Sequence, residues 1–289
     1  MLLEIAVADA YGAGFEYAPP TADRPNDASH YVRHGRHADR PMGRYTDDTQ
    51  CSIAVAECLL AGTTTPLDFG TAILATFRRD PRRGYALGFR SVLERVADGP
   101  DLLARLRPHS EKSGAAMRAG PVGLLPTIPA VLEMAAIQAS ITHDSPGGTG
   151  AAQGAALMVH HQAYGLGPIE ELPGFLAAHV PAVDWQRPHR GHAGPTGEQI
   201  TRAALAVLLD SRSLTEVLLR TVAQGGDTDT VAAIAMAPAS VSPAMARDLP
   251  PALIEGLEAG EHGRPLLEAL DGRLAAAFGL PVVAAGPRG

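Results

Sequence analysis

Two short acidic motifs hold the residues of this chain best suited to chemistry: Thr46-Asp47-Asp48-Thr49 and, about 180 residues later, Asp227-Thr228-Asp229-Thr230. Each carries two carboxylates and two hydroxyls. Each is followed by an Ala-rich, mostly apolar stretch that reads as a helix, Gln50–Leu60 after the first and Val231–Met236 after the second. Carboxylates this close repel unless they are solvated or neutralised. Hard divalent cations take oxygen ligands, and Mg2+ or Mn2+ prefers octahedral geometry. Asp supplies charge on a short arm, and Thr supplies a neutral oxygen. Asp47 and Asp48 can address two ions or grip one from two sides, and Asp227 and Asp229 can do the same from across the site. In two-metal hydrolases the ions sit roughly 3.5–4 Å apart and share ligands, and four carboxylates balance two dications. Helix capping explains one Asp or Thr per motif but not the doubled carboxylates. An EF-hand is disfavoured, because Asp227-Thr228-Asp229 leads into Val231-Ala232-Ala233 without the loop glycine or the closing Glu. The pattern predicts a hydrolytic site built around two cations.

The elements that must bring these motifs together read as helices. Apolar residues recur at three and four in Leu67–Phe77, Gly88–Val96, Val131–Ala139, Ala151–His161, Ile200–Leu209 and Leu214–Ala223. Proline and glycine punctuate between them, and no alternating β-branched run is long enough for a strand. The expected fold is all-α, a helical bundle. At 289 residues the chain can bury a large core, expected as one domain over residues 1–289. Aromatic residues make up only 4%, so that core must be mostly Ala, Leu, Val and Ile. Segments Pro19–Gly43 and Asp184–Gly197 are polar and read as long loops, which are often functional. Pro281–Gly289 is expected to be frayed.

The net charge of −7 and the lack of a basic stripe argue against a duplex nucleic-acid partner. No apolar run approaches 18 residues, so no membrane span is expected. The opening Met1-Leu2-Leu3-Glu4 is not expected to begin a signal peptide. Cys51 and Cys58 lie two helical turns apart, too far for a disulfide, and are expected as buried core thiols in a reducing, cytoplasmic setting. The run His30–His37 reads as a solvated loop. His189-x-x-His192 lacks cysteine partners and is a weak metal signal.

The motif set resembles the ADP-ribosylglycohydrolase family, which includes the dinitrogenase-reductase-activating glycohydrolases. That family pairs an early Thr-Asp-Asp-Thr with a late Gly-Gly-Asp-x-Asp-Thr, here Thr46–Thr49 and Gly225–Thr230. Between and before them, Ala8-Asp9-Ala10-Tyr11-Gly12…Glu16, Arg83-Gly84-Tyr85-Ala86, Ser113-Gly114-Ala115-Ala116-Met117-Arg118 and Thr142-His143-Asp144 are similar to family segments in the same order. The resemblance covers roughly residues 4–237. It implies an all-α orthogonal bundle holding two Mg2+ or Mn2+ ions on Thr46, Asp47, Asp48, Asp227, Asp229 and Thr230. The implied reaction is metal-assisted hydrolysis of the glycosidic bond at C1 of the distal ribose of an ADP-ribosyl group, on a protein or a small molecule. Asp48 or Asp229 would act as base, with Glu16 a third candidate on a flap. Substrate contacts would come from Tyr85, Ser113, Gly114, Ala115, Met117 and His143, with a pyrophosphate at Ser113–Ala115. Two readings compete with it, a non-catalytic relative that binds ADP-ribose and a hydrolase of another ribosyl or nucleotide compound. Ser113 stands where the family carries Asn, and Pro238 should kink or stop the helix after the second motif.

Overall fold

The computed structural model describes residues 1–35, 39, 41–187, 189 and 191–279, and among these it contains helices and three isolated β-bridges but no sheet. The helices are α1 (Leu2–Gly12), α2 (Asp47–Ala61), α3 (Pro66–Arg79), α4 (Leu87–Leu93), α5 (Gly99–Arg105), α6 (Gly114–Met117), α7 (Ile128–Ala139), α8 (Pro146–Ala163), α9 (Leu172–His179), α10 (Gly197–Asp210), α11 (Leu214–Gln224), α12 (Thr228–Val241), α13 (Pro251–Gly256) and α14 (Arg264–Phe278). None of the described helices is long and apolar enough to cross a membrane.

Starts and stops follow local chemistry. Thr65 and Asp68 form a reciprocal capping box at α3, with Pro66 in its first turn, and Thr196 and Gln199 do the same at α10. Ser213 caps α11, and Gly62 ends α2 in the left-handed conformation. The periodic stretches lie on helices, except that α4 ends at Leu93 and leaves the last three residues of Gly88–Val96 outside it; two further boundaries differ. The Gly-rich stretch Pro146–Gly150, one of the proline and glycine segments expected to punctuate between helices, instead opens α8. Ser145 caps it by accepting from Gly148 N at 3.1 Å, and Pro146 occupies a first-turn position that needs no N–H. Pro238 does not stop its helix, because α12 continues to Val241. Residues from Thr228 to Ser240 are all buried, so packing around the helix outweighs one missing hydrogen bond. The Pro281–Gly289 tail lies outside the described residues.

Two kinds of helix build the core. Helices α3, α10 and α11 are amphipathic, with a buried apolar stripe. Helices α1, α2, α8 and α12 are buried almost all round, and their neighbours enclose them on every side. Ala and Gly make up half of α8, and alanines recur along α1 and α12, which lets these backbones approach closely. Helix α12 packs most extensively on α1 and also meets α2, α8, α10 and α11. Cys51 and Cys58 are both buried free thiols, as expected. The two acidic motifs therefore stand at the N-terminal ends of two buried helices that share α1 as a neighbour.

Helices α1 and α12 approach closely at Gly12. A Cβ there would stand 2.6 Å from the Thr228 carbonyl oxygen and 2.7 Å from Asp229 Cα. Both atoms belong to backbone, so no side chain can swing away. Gly12→Ala is expected to force α1 from α12 and cost about 1–3 kcal/mol. Thermal denaturation measures this, and a wild-type melting temperature would contradict the packing described.

Candidate functional site

Asp9, on α1, organises the first motif. Both its oxygens accept from Thr46 N, at 3.0 and 2.9 Å, and Oδ2 also accepts from Thr49 N at 3.1 Å and Thr49 Oγ1 at 2.6 Å. An acid from a different helix thus satisfies backbone N–H groups at the start of α2. Thr46 is the N-cap. Its Oγ1 accepts from Asp48 N at 3.4 Å and donates to Asp48 Oδ2 at 3.1 Å. Asp47 is enclosed by the loop before α4: its N donates to the Arg83 carbonyl at 3.1 Å, and a Cβ on Gly84 would lie 1.9 Å from Asp47 Oδ1. Gly84 also has φ of +107°, so the position suits glycine on both counts.

The second motif is set by Gly225 and Gly226, both at positive φ, which turn the chain from α11 into α12. Tyr17 N donates to the Gly226 carbonyl at 2.8 Å, and Thr228 Oγ1 donates to the Gly12 carbonyl at 2.7 Å. The loop after α1 is thereby fastened to the start of α12. Asp229 Oδ1 accepts from Thr230 N at 3.1 Å. Asp227 is the N-cap residue, yet its side chain makes no capping bond.

These contacts bring the motifs together. Asp9, Asp48 and Asp229 present oxygens within 4.8 Å of one another, and so do Glu16, Asp227 and Asp229. Among the described residues no Lys or Arg forms an ion pair with Asp47, Asp48, Asp227 or Asp229. Burial, and then neighbouring carboxylates, hold Asp47, Asp48 and Asp229 well above the usual carboxylate range. Asp227 is also raised by burial, against hydrogen bonds from Asp229 and Thr230. Burial pushes Asp9 up to about 6 despite the hydrogen bonds it accepts from Thr46 and Thr49. Asp48 Oδ1 is buried without any partner. A cluster of oxygen ligands with an orphaned carboxylate oxygen and no cationic side chain fits divalent cations.

The acids form one end of a cleft of about 680 Å3. Of the residues expected to meet substrate, Ser113, Gly114, Met117 and His143 line it, and Glu16 stands at the acidic end. Tyr85 and Ala115 do not line it. Tyr85 is buried, its hydroxyl donating to Gln50 Oε1 at 2.9 Å and its ring packing on Phe77 and Phe89, and Ala115 is wholly buried behind the cleft wall. Phe89, Val92 and Leu106 contribute apolar lining to the cleft, and Arg105, Arg107 and Lys112 contribute cationic lining. Sequence reading missed these residues and Asp9. Asp9 had one signal, its place in the Ala8–Gly12 segment, but a lone acid in an apolar helix has no intrinsic role.

His34, read within a solvated loop, is buried, with Nε2 3.8 Å from Glu16 Oε2. Arg36 and His37 of that run lie outside the described residues. His189 hydrogen-bonds to the Gly191 carbonyl and belongs to neither acidic cluster. A smaller pocket of about 270 Å3 lies beyond Thr46, between Arg44, Tyr45 and Arg82. Its buried cation, Arg82, is already paired with Asp80 and Glu258 and stacked on Tyr45.

Comparison with known proteins gives consistent relatives. The sequence model of one family, described as ADP-ribosylglycohydrolase, matches residues 1–281. ADP-ribosylhydrolase ARH3 of Xenopus tropicalis is 28% identical over 203 residues, which cover 66% of this chain and 57% of that protein. A solved structure of an ADP-ribosylglycohydrolase-related protein complex matches with a TM-score of 0.71 at 24% identity, over 96% of this chain and 95% of that one. At that identity the likeness concerns the fold, which is all-α in both.

The acid cluster predicts a pH-dependent response to cations. Without cations, folding raises these carboxyls above their unfolded values, so the folded state holds more protons. Their contribution to stability is present below the ordinary value of 3.8 and is lost as pH rises, for Asp9 through about 6. Cations displace those protons. The rise in melting temperature from Mg2+ or Mn2+ over EDTA should therefore be larger at pH 8 than at pH 5.5. An equal rise at both would contradict cation binding to these acids.

Proposed function

From the premise that this chain belongs to the ADP-ribosylglycohydrolase family, we propose that it hydrolyses the glycosidic bond of an ADP-ribosyl group, releasing ADP-ribose from a modified protein side chain or a small molecule. Residues 1–289 would form one domain of that kind. The observation that carries the reading is the convergence of Asp48 and Asp229, from helices far apart in sequence, at one end of a ligand-sized cleft.

Thr46, Asp47 and Asp48 from α2, with Asp227, Asp229 and Thr230 from α12, would hold two Mg2+ or Mn2+ ions. The orphaned Asp48 Oδ1 supports this fit. Bound there, the ions supply Lewis acidity toward ribose hydroxyls and water. The chain's own residues do the rest. Asp48 or Asp229 takes a proton from the attacking water as its oxygen bonds to C1 and the bond to the leaving group breaks. Burial at 3–4% exposure keeps bulk water from both groups. Glu16, on the loop fastened to Gly226 through Tyr17, lines the cleft near the acids and would orient water there. Ser113, Gly114 and His143 would face the phosphates, and Phe89, Val92 and Leu106 would meet the apolar part of the ligand; all six line the cleft.

Asp48→Ala and Asp229→Ala should each lower kcat by about 100-fold or more, with far-UV circular dichroism unchanged. Wild-type turnover in both would sink the assignment. The reaction is checked on Arg-, Ser- and small-molecule-linked ADP-ribose by identifying the product. ADP-ribose is expected, whereas AMP would mean that the enzyme cleaves the pyrophosphate instead. Exhaustive chelation should stop turnover, and Mg2+ or Mn2+ should restore it.

A further inference from the structure

Arg118 is among the largest wholly enclosed side chains of the protein, at 1% exposure. A buried cation is costly without compensating charge, yet every group it donates to is neutral. Nε meets Gln138 Oε1 at 2.6 Å, and Nη1 meets the Gly114 carbonyl at 2.8 Å. Nη2 meets the Gln138 carbonyl at 2.8 Å and Thr142 Oγ1 at 3.0 Å. The guanidinium also borders the cleft, so an uncompensated positive charge lies just beneath its wall.

Thr142 carries that influence one residue further. Its hydroxyl oxygen accepts from Arg118 and lies 2.6 Å from His143 Nδ1. Arg has no acceptor to offer, so the acceptor within reach of the Thr142 proton is His143 Nδ1. With Nδ1 accepting, a neutral imidazole carries its proton on Nε2. His143 is 6% exposed and lines the cleft, and its Nε2 is buried with no partner in the protein. The other tautomer would leave the Thr142 proton and the Nε2 lone pair both buried and unpaired, the less favourable arrangement. Burial and Arg118 also keep the ring uncharged, pushing its pKa down to about 3. Gly114 packs directly on the ring, since a Cβ there would stand 2.9 Å from His143 Cε1.

We propose that Arg118 and Thr142 are positioning residues that present His143 as a neutral Nε2–H donor to an anionic phosphate oxygen of the ligand. The ligand's identity rests on the function proposed above, whereas the tautomer does not. The device selects for an acceptor at this corner of the cleft: Nε2–H has nothing to offer a ligand N–H, and the Arg118 charge beneath favours an anion. His143 is thereby a recognition group, held away from proton transfer.

Nitrogen-15 NMR of histidine-labelled protein, free of ligand at pH 7, should show His143 as the Nε2–H tautomer. Thr142→Val should abolish that preference and Thr142→Ser should restore it. By calorimetric titration, Thr142→Val should bind ADP-ribose about tenfold more weakly, Thr142→Ser should bind near the wild-type level, and the cation-dependent shift in melting temperature should stay the same in both. An Nδ1–H or doubly protonated ring in the wild-type protein overturns the relay, and this holds even if Thr142→Val fails to fold. Wild-type affinity in a folded Thr142→Val overturns the phosphate contact. Failure of wild-type protein to bind ADP-ribose would instead overturn the proposed function, with the Nε2–H signal still supporting the relay.

Discussion

Mutual repulsion among buried carboxylates is the constraint on which the rest of this structure depends. Asp9, Asp47, Asp48 and Asp229 are all buried, and Glu16 and Asp227 stand beside them. No cationic side chain neutralises the four acids of the two motifs among the described residues. Something must hold the helices that carry them together. Close packing of small residues between α1 and α12 does so, along with direct links from α1 to both motifs: the Asp9 clamp to Thr46 and Thr49, and the Gly12 carbonyl to Thr228. Hydrophobic burial scales with the apolar area removed from water, and helices buried on every side supply it without large aromatic residues.

The cleft shows a second consequence of that arrangement. With the acids gathered at one end, the other walls are left to recognition: apolar lining from α4 and the segment after α5, cationic lining from Arg105, Arg107 and Lys112, and the Ser113–Arg118 corner. Backbone ties join these pieces. Ser110 N donates to the Thr142 carbonyl, and Asp144 N to the Pro108 carbonyl. The cationic segment and His143 therefore share one support, fixed relative to the acids through α8 and α6.

Much of this was legible from sequence for identifiable reasons. The two motifs stand out because doubled carboxylates beside hydroxyls are too costly to bury for capping alone, and the amphipathic helices stand out through their three-and-four periodicity. What escaped reading depends on partners far away in the chain. Asp9 acquires its role only when α2 docks, since its partners Thr46 and Thr49 lie 37 and 40 residues on. The first turn of α8 was hidden because glycine and proline usually punctuate, yet Ser145 and Pro146 make a helix start of them. Pro238 was overread, because propensity yields to packing when a helix is enclosed. Tyr85, implied by the resemblance as a substrate contact, instead has its hydroxyl satisfied inside the core by Gln50.

The α1–α12 contact also orders events in time. Its two sides are separated by more than 200 residues of chain, so α1 emerges from the ribosome long before α12 exists. Until then the small-residue faces of α1 have no cover, and Asp9 and Asp48 stand without Asp229 across from them. A chain interrupted before residue 227 carries Asp47 and Asp48 but neither Asp227 nor Asp229, and cannot close the site. Assembly of the site is thereby tied to near-complete synthesis, at the expense of a long interval in which the first helix depends on waiting, or on a chaperone, for its partner.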